Sequence, residues 1–159
     1  MPIITTQDGS QSVFSEKYGV TYHSRFGAVT ESAHVFINAG LRYKAAVQQE
    51  IAILETGFGT GLNAFMSWLE AERRNLHVRY LGLEAFPISE TEAAALGYPL
   101  ALGTPEREAD FLRLHQCEWE HSYEFSECFT FEKSKTRIED FARPATFDLI
   151  YFDAFAPQS

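Results

Sequence analysis

The sequence predicts an α/β protein built on a mostly parallel, doubly wound β-sheet. Two apolar runs, Ile51–Leu54 and Phe147–Phe152, are nearly continuous, as strands buried on both faces require. Strands and helices alternate along this part of the chain, which favours parallel strands joined by helical crossovers. A glycine-rich turn directly after the first run marks a passage from strand to helix.

Residues 50–159 are predicted to hold the core of this fold, with its first four core strands. The predicted order is strand 51–56, helix 62–74, strand 78–84, helix 89–96, helix 105–116, strand 125–131, a short helix near 137–141 and strand 147–152. Glycine and proline between the two middle helices are typical of turns.

Residues 1–49 are predicted to form an N-terminal hairpin and helical extension. Its elements are strands Ile3–Thr6, Ser12–Phe14 and Val20–His23, then helices Glu31–Leu41 and Leu41–Gln49. The pair Asp8-Gly9 favours a hairpin, because both residues tolerate positive φ. Gly40 is expected to end the first helix.

Composition excludes several classes of protein. An apolar content of 45% in 159 residues indicates a folded domain. No apolar run approaches membrane-spanning length, and Met1–Gln7 lacks the basic start of a signal peptide, so we expect a cytoplasmic protein without membrane contact. Cys117 and Cys128 match no metal or redox spacing. The run His115–His121 offers no second ligand pair, which favours a polar helix end over a metal site.

The net charge of −9 is unevenly distributed. Residues 1–75 hold six Lys and Arg against seven Asp and Glu, whereas residues 76–159 hold seven against fifteen. A surface that grips a nucleic-acid backbone needs clustered Lys and Arg. Any nucleic-acid contact would therefore use the nearly neutral N-terminal part or something outside this chain.

The glycine-rich turn predicts the class of ligand. Gly57, Gly59 and Gly61 alternate with other residues, so the backbone can bend sharply and approach a ligand closely. The dinucleotide fingerprint G-x-G-x-x-G would need glycine where Leu62 stands. A G-x-G-x-G turn suits a ligand with a nucleoside and an amino-acid end but no phosphates, which describes S-adenosylmethionine. The alternative is a glycine-rich turn that binds nothing.

Three further residues extend this predicted cofactor site. Glu55 precedes the turn, Asn63 follows it, and Glu84 ends the next predicted strand, where a carboxylate can accept hydrogen bonds from both ribose hydroxyls. Asp153 follows the last strand, at the same edge of a parallel sheet. We expect Asp153 to be catalytic, on the acceptor side of the site; the alternative is a helix N-cap. No metal ligand is predicted.

Motifs along nearly the whole chain resemble a known family. They are Asp8-Gly-Ser10, Tyr22-His-Ser24, Gly27-Ala28, Glu31-Ser32, His34-Val-Phe36, Glu55-Thr-Gly-Phe-Gly-Thr-Gly-Leu-Asn63 and Asp153-Ala-Phe-Ala-Pro157. Together they resemble the S-adenosylmethionine-dependent methyltransferase domain of the bacterial tRNA wobble-uridine enzyme MnmC, including its stand-alone, single-domain relatives. The resemblance implies a Rossmann-like class I methyltransferase fold.

The resemblance also implies a reaction: methylation of the aminomethyl nitrogen on C5 of a wobble uridine, often 2-thiolated, in tRNA. It points to Tyr22 as a substrate-side residue. Phe155 could stack on the base or face the cationic centre, or could equally be a core residue. Two other hypotheses stay open: a methyltransferase acting on another amine, and a non-catalytic, truncated domain.

The chain departs from the family pattern in two places. The family often has Gly-Asp after the strand that here ends at Phe131; this chain has Lys135–Asp140, so Glu139 or Asp140 would have to supply the adenine contact. The family sheet has seven strands, whereas the sequence given stops just past the fourth core strand. We therefore expect either that the protein continues beyond Ser159 or that this shortened chain self-associates or uses a partner, because an apolar edge would otherwise stay open.

Overall fold

The computed structural model describes residues 3–5, 11–15, 20–21, 29, 32–142 and 146–152. A small antiparallel sheet comprises β1 (Ile3–Thr5), β2 (Gln11–Ser15) and β3 (Val20–Thr21) in that order. Ile3 pairs with Val13, and Phe14 pairs with Thr21. The predicted N-terminal hairpin is therefore present.

The main sheet has five strands in the order β6-β7-β5-β4-β8. These strands are β4 (Glu50–Thr56), β5 (His77–Leu83), β6 (Ser122–Ser126), β7 (Phe129–Ser134) and β8 (Leu149–Phe152). All pairs are parallel except β6 with β7. The predicted α/β fold with a mostly parallel sheet is confirmed, and the carboxyl ends of β4, β5, β7 and β8 meet at one edge.

Six helices connect or flank these strands among the described residues. They are α1 (Ser32–Arg42, with π-type hydrogen bonding), α2 (Tyr43–Ala45), α3 (Leu62–Arg74), α4 (Glu90–Ala95), α5 (Tyr98–Ala101) and α6 (Glu108–Gln116). Short 3₁₀ turns occur at Pro105–Arg107 and Ile138–Asp140. Ser89 begins α4 with a capping box, because its hydroxyl accepts from the Glu92 amide while the Glu92 carboxylate accepts from the Ser89 amide.

The core lies between one face of the sheet and these helices. Trp68 of α3 stacks on Phe129 of β7, with ring centroids 5.1 Å apart and an interplanar angle of 5°. Helix α1 joins the same core through Ile37 and Leu41. On the opposite face, a smaller cluster of Leu54, Leu81 and Leu83 is covered by Phe141 and Phe147. The division into an extension, residues 1–49, and a core, residues 50–159, stays a prediction.

The predicted strand 125–131 is wrong in one respect: it is a hairpin of two strands, β6 and β7. The chain reverses at Glu127 and Cys128, where the Ser126 hydroxyl accepts a hydrogen bond from the Cys128 amide at 3.1 Å. A serine side chain thus replaces the glycine or proline that normally signals a turn. Phe125 and Phe131 still face the same core, so a single strand also fitted the apolar pattern.

We expected Gly40 to end the first helix, but it lies inside α1. A Cβ atom at Gly40 would stand 3.4 Å from the Tyr151 ring and 3.8 Å from Leu149. These are ordinary packing distances between α1 and β8, and the helical path continues through α2. No helix in the described part of the chain is both long and apolar enough to cross a membrane.

Strand β8 lies at the edge of the sheet formed by the described residues, although its apolar sequence predicts a strand with neighbours on both sides. Tyr151 is buried against α1, at 4.9 Å between its ring and that of Phe36. Ile150 and Phe152 point to the other face and are 64% and 56% exposed. A neighbour beyond β8 is not among the described residues.

Candidate functional site

The glycine-rich turn joins β4 to α3 in a conformation that requires glycine. Gly57, Gly59 and Gly61 have φ values of 86°, 56° and 83°. These angles lie in the left-handed region, which other residues adopt only with strain. The amides of Gly57 and Phe58 both donate to the carbonyl of Leu83 at 2.9 Å, which fixes the start of the turn against the end of β5.

The space around the turn differs between two of its glycines. A Cβ atom at Gly61 would lie 2.8 Å from Nε2 of His115 and 3.1 Å from Cζ of Phe58. Among the described residues, a Cβ atom at Gly59 would meet nothing closer than the Gly57 carbonyl oxygen at 3.7 Å. The protein itself therefore excludes a side chain at Gly61, whereas Gly59 borders open space that a ligand can occupy.

Glu84 lies directly against this open part of the turn. Its Oε1 accepts a hydrogen bond from the Gly59 amide at 2.7 Å, and its Oε2 accepts one from the Phe86 amide at 3.1 Å. The sequence predicted that Glu84 and the turn would meet at one edge of the sheet, and the structure brings them together. The buried carboxylate also lines the crevice described next.

Glu55 and Asn63 lie beneath the turn, in a buried polar network. The Glu55 carboxylate accepts hydrogen bonds from Asn63 Nδ2 at 2.8 Å and from the Tyr80 hydroxyl at 2.7 Å. Asn63 Oδ1 in turn accepts from the Ser32 hydroxyl at 2.6 Å. The network ties β4 to β5, α3 and α1, so in this structure both residues support the turn from below; a contact with the cofactor stays a prediction.

An open crevice lies at the carboxyl edge of the sheet. Its lining includes Thr56, Gly57, Glu84, Ile138, Glu139 and Phe152. From the sequence, either Glu139 or Asp140 would contact the cofactor's adenine. Glu139 lines the crevice, whereas Asp140 is not among its lining residues. The predicted residues Tyr22, Asp153 and Phe155 lie outside the described residues, although Asp153 follows Phe152 in sequence.

Thr56, the last residue of β4, is a crevice residue that sequence reasoning missed. Its side chain is buried, and its Oγ1 atom has no hydrogen-bond partner within the part of the chain that the structure describes. A buried hydroxyl without a partner is unfavourable, so it marks a place where a ligand can supply the missing hydrogen bond. The apolar strand pattern around Thr56 gave no signal of this.

His115 of α6 supports the turn from the other side. Its Nε2 lies 2.9 Å from the carbonyl oxygen of Thr60, and its ring contacts those of Phe58 and Phe111. Burial lowers the pKa of His115 to about 4, so at neutral pH the imidazole is uncharged. Lys133 donates to the His115 carbonyl oxygen at 2.6 Å and so caps the end of α6. No three His, Cys, Asp or Glu side chains in the described ranges are placed to share a metal ion.

Because His115 is buried and uncharged, we expect the free energy of unfolding to decrease in mild acid. Below about pH 6.5 the unfolded chain protonates His115 while the folded protein does not, so the free energy of unfolding falls until the folded pKa of about 4 is reached. The decrease should be at most about 3 kcal/mol. We expect urea unfolding of His115→Gln, which keeps an N–H donor but does not titrate, to vary less between pH 7 and pH 4.5. Equal pH dependence in both proteins would contradict this assignment.

Parts of the chain are similar in sequence to known proteins, although no protein-family model matches it. The tRNA 5-methylaminomethyl-2-thiouridine biosynthesis bifunctional protein MnmC of Delftia acidovorans is 38% identical over 92 residues, which are 55% of this chain and 14% of that protein. The protein of the same name from Cupriavidus metallidurans is 31% identical over 104 residues, which are 63% of this chain and 15% of that protein.

The fold is similar to that of a solved structure over nearly the whole chain. The crystal structure of MNMC2 from Aquifex aeolicus matches with a TM-score of 0.67 and 25% sequence identity, covering 98% of this chain and 50% of that one. The chain therefore spans half of that structure, and the matched segments span about a seventh of the bifunctional relatives.

Proposed function

Since the chain resembles the MnmC methyltransferase-type domain in sequence and in fold, we propose that it takes part in modifying the wobble uridine of tRNA. The proposed reaction is S-adenosylmethionine-dependent N-methylation, which converts 5-aminomethyl-(2-thio)uridine to 5-methylaminomethyl-(2-thio)uridine. With tRNA as its substrate, the protein would act in the cytoplasm.

One observation carries the cofactor proposal: the glycine turn is open to a ligand at Gly59, and the Glu84 carboxylate lies beside that opening. The backbone can approach a nucleoside closely there, and Glu84 can accept hydrogen bonds from ribose hydroxyls. Thr56, whose hydroxyl has no hydrogen-bond partner among the described residues, lines the same crevice. These groups fit S-adenosylmethionine, which supplies a methyl group on a sulfonium when bound.

The chain's own residues have two tasks in this reaction. They must hold the acceptor nitrogen in line with the methyl group, at about 3 Å, which accounts for much of the catalysis in such displacements. They must also handle a proton, because an alkylamine with a pKa of about 10.4 is almost entirely protonated at pH 7. We propose that the Asp153 carboxylate orients the amine and accepts this proton. Tyr22 and Phe155 are proposed to contact the substrate.

The net charge of −9 supports a second candidate, a methyltransferase acting on a small cationic amine. An acidic surface attracts a cation and repels a polyanion such as tRNA. The two candidates share the cofactor site and differ only in the acceptor.

Methyl incorporation distinguishes the two candidates. Labelled S-adenosylmethionine would be supplied with tRNA from cells that lack the methyl modification, and in parallel with a panel of small amines. Label in the wobble nucleoside, identified after nuclease digestion, would support the tRNA reaction. Label only in a small amine would contradict it, and cofactor binding without transfer to either would favour a non-catalytic domain.

Cofactor affinity is expected to depend on Glu84. In Glu84→Ala, loss of hydrogen bonds from the ribose hydroxyls should raise the dissociation constant for S-adenosylmethionine about tenfold or more, because a hydrogen bond to a charged group contributes about 1.5–3 kcal/mol. Where water replaces the carboxylate, the effect is smaller. Calorimetric titration measures this effect. Glu124→Ala, on the exposed side of β6, is the matched control and should bind normally. Unchanged affinity in Glu84→Ala would remove Glu84 from the site.

A further inference from the structure

A cluster of arginines lies at the far end of α3 from the glycine turn. Glu70 is buried there beneath three guanidinium groups, those of Arg42, Arg73 and Arg74. Arg42 reaches it from α1 through Nε at 2.9 Å, and its Nη1 also donates to Asn38 at 2.5 Å. Arg73 and Arg74 reach the same carboxylate from the last turn of their own helix.

This cluster carries an excess of positive charge. The three guanidinium groups hold the pKa of Glu70 at about 2, well below its usual range, so Glu70 is ionised and cancels one of the three charges. The side chains of Arg73 and Arg74 are 65% and 44% exposed, so both remain accessible to solvent while they pair with Glu70. Arg107, by contrast, is matched by two carboxylates, those of Glu72 and Asp110.

Stabilisation of the helix does not account for the whole cluster. Cations in the last turn of α3 interact favourably with the helix dipole, which explains Arg73 and Arg74 in part. It does not explain Arg42, which comes from a different helix. An open groove between α1 and α3 adjoins the cluster, with Arg42 and Arg73 on its wall and apolar Ile37, Met66 and Leu69 along it.

We propose that Arg42, Arg73 and Arg74 form a contact surface for the phosphate backbone of tRNA. This inference rests on the proposed function. Helix α3 is 13 residues long, so the cluster lies about 20 Å from the glycine turn at its other end. A tRNA whose wobble base is at the crevice extends that far, whereas a small amine does not. Guanidinium groups match phosphate oxygens in geometry and charge, and such contacts position a nucleic acid without reading its sequence.

The test compares tRNA binding by the wild-type chain, by Arg73→Gln/Arg74→Gln and by a control, Arg113→Gln. Arg42 stays in place in the double variant, so Glu70 keeps a partner. Arg113 on α6 is the matched control, because its side chain is 46% exposed and it also pairs with a carboxylate, that of Asp110. Fluorescence anisotropy with tRNA lacking the methyl modification gives the dissociation constant at a series of salt concentrations, and calorimetry gives the S-adenosylmethionine affinity.

For the double variant we expect at least about tenfold weaker tRNA binding at low salt, and a slope of log affinity against log salt that is shallower by about 1 to 2. Its S-adenosylmethionine affinity should match that of the control, and Arg113→Gln should bind tRNA like the wild type. The urea midpoint of the double variant should fall, because two partners of the buried Glu70 are lost, but the protein should stay folded under the binding conditions. If the wild type binds and methylates tRNA and the double variant binds tRNA with the same affinity, the arginine surface is wrong but the proposed function stands. Absence of tRNA binding by the wild type would overturn the proposed tRNA function, and this inference with it.

Discussion

Replacing Asp153 with Asn is expected to slow methyl transfer at least about 100-fold while the affinity for S-adenosylmethionine changes only a few-fold. Asn keeps the shape and one acceptor oxygen, but it has no charge and cannot take the proton of the amine. Positioned proton transfer typically contributes about 100- to 10,000-fold to the rate. Asp153 directly follows Phe152, which lines the crevice at the end of β8, whereas Gly59 and Glu84 border the part of the crevice proposed for the cofactor.

The measurement is single-turnover methylation of aminomethyl-uridine tRNA, with cofactor affinity determined in parallel. Asp148→Asn is the control, because Asp148 lies just before β8 and accepts a hydrogen bond from the Ala52 amide at 2.8 Å. It should lower stability without a comparable loss of rate. An Asp153→Asn protein that binds S-adenosylmethionine poorly, yet reacts at the normal rate once saturated, would mean that Asp153 is a cofactor ligand or a helix cap.

A valine at Gly61 should lower the free energy of unfolding by about 2–6 kcal/mol, whereas a valine at Gly59 should mainly weaken cofactor binding. At Gly61 the left-handed φ and the contacts with His115 and Phe58 act together, and strain and overpacking each destabilise by about 1–3 kcal/mol. At Gly59 the φ value is also left-handed, but a valine side chain would enter the open space in which we propose that S-adenosylmethionine binds. That second effect should weaken cofactor binding more than Glu84→Ala does.

Urea unfolding at pH 7 and calorimetric titration separate these two effects. Gly61→Ala is the milder variant, and the double variant Gly61→Ala/His115→Ala tests the cause, since removal of the imidazole should restore part of the lost stability. Additive losses in the double variant would contradict a steric conflict with His115. Normal S-adenosylmethionine binding by Gly59→Val would remove Gly59 from the cofactor site.

The glycine turn, the helix that follows it and the position of Glu84 could be predicted, because each depends on residues close together in the sequence or on a general rule for parallel sheets. Helix α3 begins and ends at the predicted residues, Leu62 and Arg74, since the glycine turn fixes its start and Asn75, in a left-handed conformation, fixes its end. The position of Glu84 against the turn follows from the general rule for the carboxyl ends of parallel strands. Local sequence pattern and tertiary structure agree in this part of the chain.

The residues that support the site could not be predicted, because their contacts join distant parts of the chain. His115 and Thr60 are 55 residues apart, and no sequence pattern indicates that the imidazole reaches the turn. The burial of Glu55 depends on Tyr80 and Asn63, which come from other elements. Likewise, three arginines share Glu70 only because α1 packs beside α3. The β6–β7 reversal was missed because it contains neither glycine nor proline.

The two edges of the five-stranded sheet differ in how readily they would accept another strand. Strand β6 carries polar residues such as Ser122 and Glu124 and has a register irregularity between Glu124 and Ser126, which are features that discourage edge-to-edge aggregation. Strand β8 pairs in regular parallel register with β4 and exposes Ile150 and Phe152. For the sheet formed by the described residues, β6 is therefore the edge less suited to pairing with another strand, and β8 is the edge better suited to it.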